Sequence, residues 1–158
     1  MTQVAAVILA AGASTRLGQP KQLLDWGGTP LLAHVADVAL SAGFDPVIVV
    51  LGCQAQIVRQ ALGPRPVQTV MNWRWEEGMS TSVQVGLAAL PPQVTAAAFL
   101  QCDQPLITPE LLRALVTRFE ETGAYVVHPT CAGRRSTCLL YTSPSPRDLS
   151  TSRMPSSA

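Results

Sequence analysis

The segment Leu9-Ala10-Ala11-Gly12-Ala13-Ser14-Thr15-Arg16-Leu17-Gly18-Gln19-Pro20-Lys21 joins a run of small residues to two cations. Small side chains at positions 10 to 14 let backbone N–H groups approach a triphosphate closely. Arg16 can fork onto phosphate oxygens, and Lys21 adds a point charge. The loop is not a Walker A motif, because five residues separate Gly12 from Gly18 and no Lys-Ser/Thr follows directly. Nor is it GxGxxG, because position 14 is Ser14. On glycines and charge alone, an ordinary strand–helix turn with two solvated cations reads equally well.

Two further stretches carry candidate chemistry. In Cys102-Asp103-Gln104-Pro105, Asp103 follows a run of small apolar residues. A carboxylate there can hold Mg²⁺ against phosphate oxygens, or it can cap a turn before Pro105. Between Asn72 and Ser82 lie Trp73, Trp75, Gly78, Met79 and Ser80. Gly78 permits close backbone approach, and Ser80 is a natural N-cap of a helix whose N-terminus could face an anion. The plainer reading is a capped helix after a loop, and Trp73 and Trp75 are expected to fill the core. His34 falls opposite the apolar stripe of its helix and is expected in solvent. His128 reads as a loop histidine beside Pro129.

The elements that must position these residues follow from periodicity. Val4 to Ala10 is a continuous apolar run, as in a strand buried on both faces of a parallel sheet. Thr29-Pro30 predicts a helix start, with Thr29 as N-cap, and Leu31, Leu32, Val35, Val38, Ala39 and Ala42 at helical spacing before Gly43. Pro46 to Leu51 reads as a strand, Gln54 to Leu62 as a short helix, and Val67 to Val70 as a third strand. Ser80 to Leu90 reads as a helix with Val83, Leu87 and Leu90 on one face, and Ala96 to Gln101 as a buried strand. Thr108-Pro109 opens a helix carrying Leu112, Leu115, Val116 and Phe119, closed by Gly123, and Ala124 to His128 follows as a strand. This alternation predicts an α/β, doubly wound, Rossmann-like and mostly parallel sheet, with ligands beyond the carboxyl ends of its strands. The glycine loop and Asp103 then share one edge.

Bulk composition agrees. At 158 residues the chain has the length of one domain, and 47% hydrophobic against 13% charged residues indicates a buried core. A net charge of +1 gives no electrostatic case for nucleic acid or an anionic membrane, so any phosphate binding must be local. Cys53, Cys102, Cys131 and Cys138 show no paired spacing and read as small buried hydrophobes in a reducing cytoplasm. No apolar run reaches membrane length. From Thr142 onward there are six serines and three prolines without apolar periodicity. "CLLYTSPSPRDLSTSRMPSSA" resembles translated adapter sequence. The expected division is therefore a domain at 1–137 and a non-native or disordered tail at 138–158.

"LAAGASTRLGQPKQLL" resembles the molybdenum cofactor nucleotidyltransferase family, whose pattern runs LA(A/G)GxSxRMGxPKxLL. Leu17 replaces the usual Met, and Cys102 stands where that family more often has Gly. The resemblance continues through "NWRWEEGMSTSVQVGLAAL" and "CDQPLITPELL" and stops near Gly133-Arg134-Arg135. The LAAG form and the GMSxS block point to the cytidylyltransferase branch. The resemblance implies a nucleotidyltransferase fold, incomplete at its C-terminus. It implies transfer of CMP from CTP to the terminal phosphate of a phosphorylated pterin, with Mg²⁺ as cofactor and a molybdenum hydroxylase as partner. The nucleotide would lie on Leu9, Ala10, Ala11, Gly12, Ala13, Ser14, Gly78 and Ser80. Arg16, Lys21 and Asp103 would act in transfer, with Asp103 as metal ligand and Arg134 or Arg135 near the acceptor phosphate. The family's second acidic ligand, in a DxDTPxD-like stretch, has no match here: after Asp103 the carboxylates are Glu110, Glu120, Glu121 and Asp148. The alternatives are a cytidylyltransferase acting on a sugar or methylerythritol phosphate, against which the GMSxS block argues, and a non-catalytic nucleotide-binding accessory module for hydroxylase maturation.

Overall fold

The computed structural model describes residues 3–14 and 18–123 with their side chains, and the backbone of 126–127, 130–131, 134–135 and 139–142. The first strand, β1 (Val4–Ala10), lies at the centre. After it come the two-residue strands β2 (Asp25–Trp26) and β3 (Thr29–Pro30), then helix α1 (Leu31–Ser41), β4 (Val47–Leu51), α2 (Ala55–Gln60) and β5 (Gln68–Met71). Helix α3 (Met79–Ala88), β6 (Ala96–Gln101) and α4 (Pro109–Thr122) follow, then the short strands β7 (Val126–Val127), β8 (Thr130–Cys131), β9 (Arg134–Arg135) and β10 (Leu139–Thr142).

Six strands form one sheet in the order β5-β4-β1-β6-β10-β7. The pairs β5–β4, β4–β1 and β1–β6 are parallel, and β10 runs antiparallel to both of its neighbours. This is the mostly parallel α/β sheet that the strand–helix alternation predicts. Helices cover both faces, which is why β1 and β4 read as unbroken apolar runs rather than alternating ones. Ala6, Ile8, Ala10, Val49 and Leu100 pack on one side with buried residues of α1, α2 and α4. Val7, Val50, Ala97 and Phe99 pack on the other side with Val83 of α3. β10 falls beyond residue 137, inside the stretch expected as a tail, and its Leu140 is in register with Ala98. The rest of 138–158 lies outside the described residues.

One helix start differs from expectation. Thr29 is not the N-cap of α1. A turn through Gly27 and Gly28 pairs Asp25 with Pro30 and Trp26 with Thr29, so both residues are extended. Pro30 occupies the cap position, and the Leu31 N–H is served by the Leu24 carbonyl at 2.7 Å. At α4 the expectation holds: Thr108 Oγ1 accepts from Leu111 N–H at 3.1 Å, Pro109 follows, and Gly123 closes the helix at φ 65°.

Helix α3 lies unusually close to the sheet. A Cβ at Gly86 would overlap Val7 Cγ1, a core methyl of the central strand. Replacing a mid-helix glycine by alanine ordinarily gains about 0.5–1 kcal/mol. Here overpacking should outweigh that gain, since forcing a methyl into a filled core costs about 1–3 kcal/mol. Gly86→Ala is therefore expected to lower the urea midpoint. An unchanged or higher midpoint would show that α3 moves off Val7 without loss.

Candidate functional site

The carboxyl ends of β1, β4 and β6 converge, and the loops leaving them build a cleft. Leaving β1, the chain must satisfy carbonyls that no longer face a neighbouring strand. Gln22 meets them from a 3-10 turn at Lys21–Leu23. Its Nε2 donates to the carbonyls of Ala10 at 2.8 Å and Gly12 at 3.3 Å. In a planar trans peptide the carbonyl and the next N–H point oppositely. The N–H groups of Ala11 and Ala13 therefore lie on the side of the loop away from Gln22. The Lys21 N–H donates to Ser14 Oγ at 3.1 Å, so residues 14 and 21 are stitched together. Ser14 itself takes a positive φ of 55°. Gln22 is 1% exposed, and its Oε1 has no hydrogen-bond partner among the described residues.

The loop after β4 presses on this one. The Cys53 N–H donates to the Ala11 carbonyl at 3.0 Å, and a Cβ at Gly52 would sit 2.7 Å from both Ala11 O and Trp75 Cβ. Only glycine leaves room for that approach.

From β6 comes Asp103. Its Oδ2 lies 3.2 Å from Lys21 Nζ, joining residues 82 apart in sequence. Both side chains are over a third exposed, at 35% and 41%. Such a pair is worth about 1 kcal/mol or less, and its partners can exchange readily. Beside it, burial pushes the Cys102 thiol up to about 11, with Lys21 pulling it down and Asp103 adding to the rise. The turn beyond is held to α1 by His34, whose Nε2 lies 2.9 Å from the Pro105 carbonyl and whose ring tilts against Trp26. The expectation of a solvated His34 fails because the β6–α4 turn folds over that face of α1.

The opposite wall is the stretch from Asn72 to Ser82. Gly78, at φ 120°, is the cap of α3. Ser80 is therefore not the N-cap: the helix begins at Met79, which puts Ser80 inside the first turn, exposed. Thr81 bonds back instead, donating to the Gly78 carbonyl at 2.7 Å or to the Arg74 carbonyl at 3.0 Å. Trp73 does not fill the core, and Trp75 packs only partly against it. Trp73 is 83% exposed on the turn, and Trp75 is half-buried against the cleft. Gln101 Nε2 donates to Met79 Sδ at 3.2 Å across the cleft mouth.

The enclosed volume is about 220 Å³. Of the residues singled out in the sequence, Leu9, Ala11, Gly12, Lys21, Gly78 and Asp103 line it. Ala10 is buried beneath, while Ala13 and Ser14 lie on the half-buried loop. Ser80 is not among the lining residues, and Arg16 lies outside the described residues. After Gly123 only the backbone of the short strands is described, so His128 and the Arg134 and Arg135 side chains lie outside the described residues too. Gln22, Ser82 and Gln101 also line the cleft and were not singled out as binding residues. A glutamine inside an apolar helix-start pattern, and a second serine in Gly78-Met79-Ser80-Thr81-Ser82, were the available signals. No cluster of three or more His, Cys, Asp or Glu occurs among the described residues, and among the described lining residues Asp103 is the one carboxylate. No described helix is long and apolar enough to cross a membrane.

A parallel sheet with a small-residue loop, a lysine and an aspartate at its carboxyl edge defines an α/β nucleotidyltransferase-type domain. The chain belongs to the MobA-like NTP transferase domain family, which matches residues 6–154. It is 41% identical over 135 residues to the bifunctional protein GlmU of Halorhodospira halophila, covering 83% of this chain and 28% of that protein. The chain thus spans about a quarter of the length of the GlmU proteins it matches. It is also 41% identical over 87 residues to the nicotine blue oxidoreductase of Paenarthrobacter nicotinovorans, covering 54% of this chain and 43% of that one. Among solved structures, Rv0371c of Mycobacterium tuberculosis superposes with a TM-score of 0.81 at 32% identity, over 99% of this chain and 79% of that one. A manganese complex of Rv0371c superposes with a TM-score of 0.75 at 30% identity, over 96% of this chain and 77% of that one.

The buried thiol supplies a direct check of the cleft floor. With its folded pKa near 11 against an ordinary 9.0, Cys102 stays protonated at neutral pH. Iodoacetamide is expected to spare it in the folded protein and to modify it after unfolding, as read by mass spectrometry. Its contribution to stability is full below pH 9.0 and is lost as pH rises from there through about 11, because the unfolded thiol ionises first. Rapid modification of Cys102 in the folded protein near neutral pH would contradict the buried position.

Proposed function

We propose that this domain transfers CMP from CTP to the terminal phosphate of a phosphorylated pterin, molybdopterin with or without its metal, releasing pyrophosphate. The observation that carries the reading is the meeting of Lys21 and Asp103, 3.2 Å apart, at the mouth of a small-residue loop on the carboxyl edge of the sheet. The residues from Leu9 to Ser14 would hold the nucleotide, with Gly78 and the first turn of α3, including Ser80, facing base, ribose or acceptor. The LAAG and GMSxS strings support cytidine over guanosine.

The acceptor phosphate is its own nucleophile. Its second pKa is about 6, so it is largely ionised at neutral pH and needs no general base. What remains for the protein is positioning and charge neutralisation. Lys21 leaves Asp103 and takes up charge on the leaving pyrophosphate, together with Arg16. Asp103 is released to a cation. A lone, part-exposed carboxylate suits Mg²⁺, which keeps several waters and takes its other oxygens from substrate phosphates. Bound there, Mg²⁺ would neutralise phosphate charge. The manganese complex of Rv0371c supports a divalent ion at such a domain. The reading places the chain in the cytoplasm, acting before a molybdenum hydroxylase receives its cofactor.

Titration with CTP and GTP in the presence of Mg²⁺ tests base choice: tighter CTP binding is expected, and equal or tighter GTP binding would defeat the cytidylyl reading. Asp103→Asn should remove the Mg²⁺ dependence of CTP binding. In transfer assays, Asp103→Ala and Lys21→Ala should each cost on the order of 3 kcal/mol, or about a hundredfold in rate. Wild-type rates in both variants would sink the assignment of these two residues.

A further inference from the structure

We propose that Asn72 sets base selectivity by forcing the Ser82 hydroxyl to act as a hydrogen-bond donor toward the cleft. This rests on the reading that the cleft takes a nucleoside triphosphate.

Asn72 directly follows β5 and is 1% exposed. Its Oδ1 accepts from the backbone N–H of Arg74 at 3.0 Å. A backbone amide can only donate, so the orientation of the Asn72 side chain has one solution. Nδ2 must face the hydroxyls of Thr81 and Ser82, each at 2.9 Å. Both amide protons are thereby used, and each hydroxyl receives one. Thr81 passes its own proton to a carbonyl, that of Gly78 or Arg74. The Ser82 proton has no acceptor among the described residues, and Ser82, 4% exposed to solvent, lines the cleft. The network therefore presents a donor to whatever occupies that wall.

A pinned donor selects for an acceptor atom. Cytosine carries adjacent acceptors at O2 and N3. Uracil keeps O2 but places an N–H at N3, and guanine lines the same edge with N–H groups at N1 and N2. Set opposite ring position 3, a hydroxyl that can only donate favours cytosine over uracil, and over a guanine presenting N1–H there, and the choice between cytosine and uracil then depends on hydrogen-bond direction, since the two rings have nearly the same shape.

Asn72→Asp replaces two donors by an acceptor. The Ser82 proton then turns inward to the carboxylate, leaving the serine oxygen to accept from the cleft. The measurement is competitive titration of CTP and UTP with Mg²⁺ on the whole chain. The CTP-to-UTP affinity ratio should exceed one in the wild type and fall about tenfold or more in Asn72→Asp, the scale of one hydrogen bond made or opposed. General loosening would weaken both nucleotides and leave the ratio alone. Ser82→Ala, which buries no charge, should lower the ratio similarly, and adding Asn72→Asp to it should change the ratio no further. A ratio near one in the wild type, or a ratio unmoved in both single variants, overturns the proposal. A wild type that prefers GTP would defeat the cytidylyl reading separately. The Asn72 assignment would then stand only if Asn72→Asp reorders the nucleotides.

Discussion

The carbonyl groups of Ala10 and Gly12 leave the central strand where the chain can no longer pair them with a neighbour, and one buried side chain receives both. Gln22 holds them through a single amide nitrogen, at 2.8 and 3.3 Å. Buried backbone acceptors without partners are costly, so this contact determines where the loop can go after β1. It also determines where Lys21 stands, because the two residues share a turn. The Lys21 N–H bond to Ser14 closes the base of the intervening loop. The small side chains from Ala10 to Ser14 are thus held in a shape rather than merely made permissive.

Close packing then brings the other walls to this loop. Gly52 admits the β4 loop against Ala11 and Trp75, and Gly86 lets α3 settle on Val7. Neither position needs an unusual backbone angle, since neither is among the positive-φ glycines. Their requirement is space alone. The wall from Asn72 to Ser82 is stiffened differently, by a buried amide whose donors and acceptor are all engaged. A buried amide engaged at both donors and at its acceptor fixes geometry in a way that an apolar contact does not.

Charge in the cleft is local, as a chain of net charge +1 requires. One lysine and one aspartate neutralise each other across the opening. Because the pair is part-exposed, its separation costs little, and either partner can turn to an oxyanion or a cation. Beneath it, the buried Cys102 thiol remains neutral and contributes no competing negative charge at neutral pH.

The strands, the helices and the carboxyl-edge location of the cleft were legible in the sequence because each is a local signal. Continuous apolar runs mark strands covered on both faces. Three- and four-residue spacing marks α4, and Thr108, Pro109 and Gly123 mark its ends. The Gly12 loop and Asp103 fall on one edge by the topology of parallel sheets alone. Other features depended on contacts between distant segments. Thr29 and Pro30 satisfy every rule for a helix start, yet the turn at Gly27-Gly28 draws them into a hairpin. His34 looks solvent-facing until the turn carrying Pro105, 71 residues later, covers it. Trp73 and Trp75 look like core residues by composition, but the short turn between β5 and α3 holds them at the surface and the cleft. Asn72 gave no sign of its role, because a buried amide is defined by the groups it meets. Local propensity and periodicity are properties of neighbours in sequence, whereas hydrogen-bond satisfaction and free space are properties of neighbours in the folded chain. For that reason the sequence by itself determined the parallel strands of the sheet and the edge on which the cleft opens, and only the tertiary structure decided that β10 joins the sheet, which polar side chains stand on that edge and in what direction they donate.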